Sequence, residues 1–335
     1  MSTRPSEQFN FGSLNDEIRA YLADVAPEGD ITQALCSVQE AERRIARMSR
    51  AAQDREAREA ARRREGVLRE PAPPAEASSV LPNIHTSIVA SEAEIEQARN
   101  IQKKLLPDEM PRLAGFDIAS YSRFCRDVGG DYFDFIPLGN GCQALIVADV
   151  SGKGVPAAMV MVMFRSILRM VAANGHTPLD TLAFTNHLVQ RDLLRGMFIT
   201  AIYAVLDPAA RKLTLLNAGH NPPLLARPTL SGTRAVRVTG PAIGLLPDHK
   251  FRDSLRQKHL SLQHGDCLCF YTDGATEAKN LLGEDLGEQA LARAFRGASI
   301  RPAQQTVEAL VAAVDAHQEE APQHDDITLV VLRVL

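Results

Sequence analysis

The sequence predicts an α+β chain in which antiparallel sheets are flanked by helices, behind a separate N-terminal helical region. Three observations carry this prediction. The strand-like runs after Phe116 follow one another in meanders, without the regular strand–helix alternation of a doubly wound fold. Apolar helical segments interleave with those runs at Val155–Ala173, Thr177–Gly196, Gly287–Phe295 and Pro302–Gln318. Before Phe116 the periodic stretches are helical, apart from an expected disordered start over 1–12 and a linker over 71–90.

Taken in order, Ser13 is placed to cap a helix carrying Leu14, Ile18, Leu22 and Val25 on one side, and Ala26-Pro-Glu-Gly ends it. Asp30 with Gln33 resembles a capping-box start. The helix that follows carries Val38, Ala41, Ile45, Met48 and Ala52 at heptad spacing, a short coiled-coil contact that fades by Arg55. Residues 55–69 are rich in Arg, Glu and Ala, which suits a solvated helical face better than a nucleic-acid arm. The expected organisation is a helical regulatory or dimerisation region over 1–70 and a Pro/Ser linker over 71–90. A connecting helix over 91–107 and the main domain over 108–335 complete it. In the connecting helix Ile95, Ala98, Ile101, Gln102 and Leu105 share one side, and Pro107 stops it. Such a helix either transmits a signal or dimerises, or it packs on the domain.

The expected strands are Asp117–Ser122, Tyr132–Pro137, Ala144–Asp149, Thr200–Leu206, Lys212–Ala218, Pro223–Arg227, Asp266–Tyr271 and Ile327–Val334. Turns fall at Leu138-Gly-Asn-Gly141 and Asp207-Pro208.

Composition narrows the function. A chain of 335 residues with 45% apolar and 23% charged residues builds a sizeable core. A net charge of −4 and the absence of Trp speak against nucleic-acid binding. The apolar run Val155–Phe164 is broken by Arg165 and is too short to span a bilayer, and the N-terminus lacks a signal-peptide core. The five cysteines fit no zinc spacing. A cytoplasmic protein with reduced thiols and no membrane or nucleic-acid partner is the expectation.

The centre of the main domain is Ala144-Leu-Ile-Val-Ala-Asp149-Val-Ser-Gly-Lys-Gly154. A short β-run ends in an acid, then in a small-residue loop, then in a helix. Two readings are open: ordinary strand-to-helix punctuation, or a metal or phosphate site where glycine lets backbone amides approach an anion. Other acids share that setting. Asp131 follows paired glycines at a strand start, Asp273 ends an apolar run, and Asp325-Asp326 precede the terminal strand. Carboxylates gathered at one sheet edge repel one another, and a cation resolves the repulsion. All-oxygen ligation suits Mg²⁺ or Mn²⁺.

Gly129-Gly-Asp-Tyr-Phe-Asp134, Asp149-Val-Ser-Gly-Lys-Gly-Val-Pro-Ala-Ala158, Asn217-Ala-Gly-His-Asn-Pro222, Thr272-Asp-Gly-Ala-Thr-Glu277 and Asp325-Asp-Ile-Thr328 occur in that order. Together they resemble the metal-dependent PPM protein phosphatases, in the SpoIIE-like branch of sigma-factor-regulator phosphatases. The resemblance covers residues 92–335 and leaves 1–90 uncovered. It implies an αββα sandwich of two antiparallel sheets with a cleft for two Mn²⁺ or Mg²⁺ ions. Asp149 would bridge both ions, helped by the Val150 carbonyl. Asp273 and Asp325 would complete one shell, and Asp131 would serve the other ion. Asp326 matches a position that is Asp or Asn in the family, with its role as ligand left open.

The resemblance further implies in-line attack by a metal-activated water on a phosphoserine or phosphothreonine. The substrate would be a phosphorylated STAS-type anti-sigma-factor antagonist in a partner-switching pathway. An upstream regulator acting on the N-terminal helices, and a homodimer, are the further partners. Lys153 and Arg126 are candidate phosphate contacts, as is Arg123. His220 reads either as a general acid or as a structural residue of its turn. Phe124-Cys125 departs from the small or Pro residues expected there. A haloacid-dehalogenase mechanism fails, because Phe270-Tyr-Thr-Asp273 has Tyr where that chemistry needs a nucleophilic Asp. The alternative is a non-catalytic scaffold of the same pathway, against which the complete set of aspartates speaks.

Overall fold

The computed structural model of the chain describes residues 81–229 and 231–335; the expectations for residues 1–80 lie outside them. Helix α1 (Leu81–Leu105) leads in. It begins ahead of the Ser91 start expected from sequence, because Pro82 sits in its first turn, where proline is tolerated, and nothing after it breaks a helix. Strands β1 (Phe116–Arg123), β2 (Tyr132–Pro137) and β3 (Gln143–Val150) follow, then helices α2 (Val155–Ala173) and α3 (Pro178–Gln190). Next come β4 (Ile199–Asp207), β5 (Lys212–Ala218), β6 (Leu224–Ala226), β7 (Thr233–Ala235), α4 (Asp248–Ser254) and β8 (Gln257–Ser261). Strand β9 (Cys267–Tyr271), the single-turn α5 (Asp273–Thr276), α6 (Glu288–Ala298), α7 (Ala303–Gln318) and β10 (Ile327–Val334) complete the chain.

The strands form two five-stranded sheets, in the orders β1-β10-β9-β6-β7 and β2-β3-β4-β5-β8. All strand pairs are antiparallel. The period-2 alternation of each strand divides its side chains between two apolar layers. From β3, Leu145 and Val147 enter the layer between the sheets, with Phe270 and Val330 of the opposite sheet. Ala144, Ile146 and Ala148 point the other way, against Met161, Phe164 and Leu168 of α2. A third layer sets Tyr271, Leu329 and Val331 against Phe295 of α6 and Leu310 of α7. The order helix–sheet–sheet–helix is the αββα sandwich.

Helix α2 is long and apolar enough to cross a membrane by length and composition. One of its faces is a wall of the core, with Met161, Phe164 and Leu168 fully buried. On that face Tyr132 meets Phe164 edge-on at 5.9 Å between ring centroids.

Four described elements were not foreseen. Strand β8 reads Gln-Lys-His-Leu-Ser, an edge strand whose polar side chains hide its β character. Strand β7 and helices α4 and α5 are too short to show periodicity. The stripe expected on α1 is also corrected. Gln102 is buried and Ile95 and Leu105 are half-buried, but Ala98 and Ile101 face solvent and Arg99 takes their place. Hydrogen bonds, more than apolar burial, seat this helix.

Candidate metal centre

Strand β3 carries Asp149 on the inter-sheet face, two residues beyond Val147, at the point where the strand gives way to the Ser151–Gly154 loop. That loop is tied down by Ser151, whose N–H donates to the Phe198 carbonyl at 3.0 Å and whose hydroxyl accepts the Phe198 N–H at 2.9 Å. The serine of this motif is therefore a loop anchor. Asp131 lies just before β2 and is buried. Its carboxylate accepts the Thr272 hydroxyl at 2.8 Å, and that hydroxyl accepts the Thr328 N–H at 2.9 Å. Asp273 opens α5 directly after Thr272, and Asp325 lies two residues ahead of β10.

Electrostatics shows that these acids converge. Burial, then the charges of Asp273, Asp325 and Asp326, push Asp149 up to about 7. Burial, then Asp149 and Asp326, raise Asp131 well above the carboxylate range, although the Thr328 and Thr272 hydroxyls oppose this. Burial, Glu277 and Asp325 raise Asp273. The sheet edges have thus gathered four carboxylates whose ionised forms repel one another.

Asp326 plays another part. Its Oδ1 accepts the Cys125 N–H at 2.7 Å, and its Oδ2 accepts the Gly130 N–H at 2.8 Å. Glycine is required around it. A Cβ on Gly129 would lie 2.2 Å from Asp326 Oδ2, and one on Gly274 would lie 1.9 Å from the Asp326 carbonyl oxygen. Gly129 makes room for this carboxylate, which stitches the Cys125–Gly130 loop to the start of β10, whereas a Cβ on Gly130 would lie 2.8 Å from the Val150 carbonyl oxygen.

Cys125 Sγ also lies within 4.8 Å of oxygens of Asp325 and Asp326. Without a bound ion, burial and the neighbouring Asp326 push its thiol up to about 11, against the thiolate form. The donors free to take a cation are oxygens, which fits Mn²⁺ or Mg²⁺ and not zinc.

Among the cations, Lys153 bonds Asp325 Oδ2 at 2.7 Å and the His324 carbonyl at 2.5 Å. Arg126 is exposed, with its guanidinium against Gly154 at the mouth of the loop. Arg123 is a correction. Its guanidinium is engaged on α7, by Asp315 at 2.8 Å and Gln318 at 3.0 Å, and so is not offered to a phosphate. His220 is also committed. Its Nε2 donates to the Tyr271 carbonyl at 3.1 Å, which fixes the tautomer, and its Nδ1 accepts from the Thr200 hydroxyl at 2.7 Å. Burial lowers it to about 4, so it is a neutral strut between the sheets.

Sequence reading missed Thr272, Thr328 and Gln102, which support the acids. The two threonines stand inside recognised motifs, but only their hydrogen bonds give them a role. Asp134, also within a motif, is turned to the helix side of its sheet, where it accepts from Tyr132, the Phe135 N–H and Arg169.

An αββα sandwich with buried acids gathered at one sheet edge is the fold of the PP2C-type phosphatase domains. The chain belongs to the SpoIIE family: the family model described as stage II sporulation protein E matches residues 139–335. It is similar to the phosphoserine phosphatase RsbU of Bacillus subtilis, 28% identical over 241 residues that cover 72% of this chain and 70% of that protein. Protein IcfG of Synechocystis sp. is 29% identical over 265 residues, covering 71% of this chain. The chain spans only 41% of IcfG's own length. Among solved structures, the SiaA-PP2C domain of Pseudomonas aeruginosa superposes with a TM-score of 0.64 at 23% identity, over 78% of this chain and all of that one.

Proposed function

We propose that this protein hydrolyses phosphoserine or phosphothreonine on a regulatory phosphoprotein, a STAS-type anti-sigma-factor antagonist in a partner-switching pathway. The observation that carries the reading is the gathering of Asp131, Asp149, Asp273 and Asp325 at the sheet edges, where burial, then the charges of Asp273, Asp325 and Asp326, push Asp149 up to about 7 and call for cations. In this reading Asp149, Asp131, Asp273, Asp325 and the Val150 carbonyl would hold two Mn²⁺ or Mg²⁺ ions, Asp273 and Asp325 serving one and Asp131 the other, with the Val150 carbonyl helping one of them. When bound, such ions supply an activated water and neutralise phosphoryl charge. The chain's own residues do the remaining work. Thr272 and Thr328 orient Asp131, and Asp326 fixes the loop beside it. Arg126 at the cleft mouth receives phosphoryl oxygens, and Lys153 leaves Asp325 to do the same. No covalent nucleophile is invoked, because Ser151 is tied to Phe198 and, without a bound ion, Cys125 is held against its thiolate form.

Residues 1–70 serve in this proposal as a regulator-binding or dimerising input, joined through the linker 71–90 and the helix 91–107 to a phosphatase domain over 108–335. The protein works in the cytoplasm. The resemblance to RsbU, named as a phosphoserine phosphatase, supports the substrate class. The test is hydrolysis of a phosphoserine protein and of an aryl phosphate, with and without Mn²⁺, beside Asp273→Ala. Metal-dependent turnover abolished in the variant supports the proposal. Turnover that persists in Asp273→Ala, or that ignores Mn²⁺, refutes it.

A further inference from the structure

Gln102 belongs to none of the acidic motifs, yet it touches the loop that serves two of them. It lies near the C-terminal end of α1 and is only 2% exposed. Its carboxamide forms a reciprocal pair with one peptide residue: Nε2 donates to the Gly129 carbonyl at 2.6 Å, and Oε1 accepts the Gly129 N–H at 3.0 Å. A primary amide carries the donor and acceptor that such pairing needs. On its other side Gly129 is pressed against Asp326, whose Oδ2 takes the next N–H, that of Gly130. The residue after Gly130 is Asp131.

One turn earlier on α1, Arg99 grips the start of the same loop. Its Nε donates to the Asp127 carbonyl at 3.0 Å, and its Nη2 meets Asp127 Oδ1 at 2.8 Å. The helix end is itself held by Arg165 of α2, which donates to the Leu105 carbonyl at 2.7 Å. The loop from Asp127 to Gly130 is thus clamped between α1 and Asp326. Ile101, the apolar neighbour of Gln102, is 61% exposed, so apolar burial does not account for this seating.

We propose that Gln102 is a positioning residue for the metal centre: by pairing with Gly129 it sets the path of the loop that aims the Asp131 carboxylate. This rests on Asp131 being a metal ligand. Groups that orient a ligand from behind commonly change metal affinity by about 10–100-fold when removed.

The test measures Mn²⁺ binding calorimetrically on the full chain, beside the Mn²⁺ dependence of turnover. Gln102→Leu keeps the volume and removes both hydrogen bonds. It is expected to weaken Mn²⁺ binding by about tenfold or more, with kcat recovering at saturating Mn²⁺. Gln102→Glu keeps an acceptor for the Gly129 N–H and is expected to fall between that variant and the parent, and it stands in if the leucine variant does not fold. Leu310→Ala, a core truncation in α7, should lower Tm and leave Mn²⁺ affinity unmoved. Parental affinity in the soluble Gln102 variants, or an equal loss in Leu310→Ala, overturns the proposal. A parent chain that binds no Mn²⁺ would instead overturn the metal reading on which it stands.

Discussion

The Thr272 hydroxyl donates to Asp131 at 2.8 Å and accepts the Thr328 N–H at 2.9 Å, so one oxygen joins the acid of one sheet to the backbone of the other. All three residues are buried. Thr272→Val keeps the shape and loses both bonds, leaving an unpaired N–H. The expected cost is about 1–3 kcal/mol in denaturant unfolding, with weaker Mn²⁺ activation; Thr272→Ser should retain most of both. A valine variant with the parent's stability and Mn²⁺ response would show the bond to be incidental.

Asp149 sits where four carboxylates repel one another in the absence of cations. Removing its charge should therefore stabilise the metal-free protein while destroying function. In EDTA, Asp149→Asn is expected to melt above the parent. With excess Mn²⁺ the order should reverse, because the parent alone gains binding energy, about 2.7 kcal/mol at a hundredfold excess over Kd. A variant that melts below the parent in EDTA contradicts this.

Lys153 competes for Asp325 with any cation that Asp325 holds. Lys153→Met should tighten Mn²⁺ binding severalfold and raise KM for a phosphoprotein, because the same ammonium is then missing at the phosphate. Titration calorimetry and steady-state kinetics read the two effects separately. Weaker Mn²⁺ binding in the variant would sink the competition argument.

His220 is held neutral, lowered by burial from 6.5 to about 4. A group whose charged form is disfavoured by folding contributes fully above the higher value and loses its contribution as pH falls from 6.5 towards 4. The stability advantage of the parent over His220→Gln should shrink by about 2–3 kcal/mol between pH 7 and pH 4.5, at about 1.36 kcal/mol per pH unit. Urea unfolding in EDTA at the two pH values measures it. A constant difference would mean that His220 titrates normally, and a general-acid role would reopen.

The strands and helices that wall the core were legible because each repeats its apolar residues at a clean period. Tyr132–Pro137, Val155–Ala173, Lys212–Ala218 and Ile327–Val334 were placed to the residue. Strand β8 was not, because an edge strand with Gln257, Lys258 and His259 facing water has no apolar face to announce it. The acids were legible through their glycine and strand-end settings. Their supports were not, since a buried Thr272 or Gln102 has the same local sequence signature as an exposed one. Arg123 misled for the converse reason: adjacency in sequence to a site says nothing about which helix captures the guanidinium.

Helix α1 read as a connector, yet Arg99 and Gln102 hold the loop before Asp131, and Leu106, just past its end, lodges against two of the apolar layers. The loop before Asp131 therefore depends on helical turns that lie ahead of the first strand. Gene fusions that graft new sensory modules onto such a domain have to join them ahead of those last helical turns. Any splice made closer in would remove the side chains that hold the Asp127–Gly130 loop.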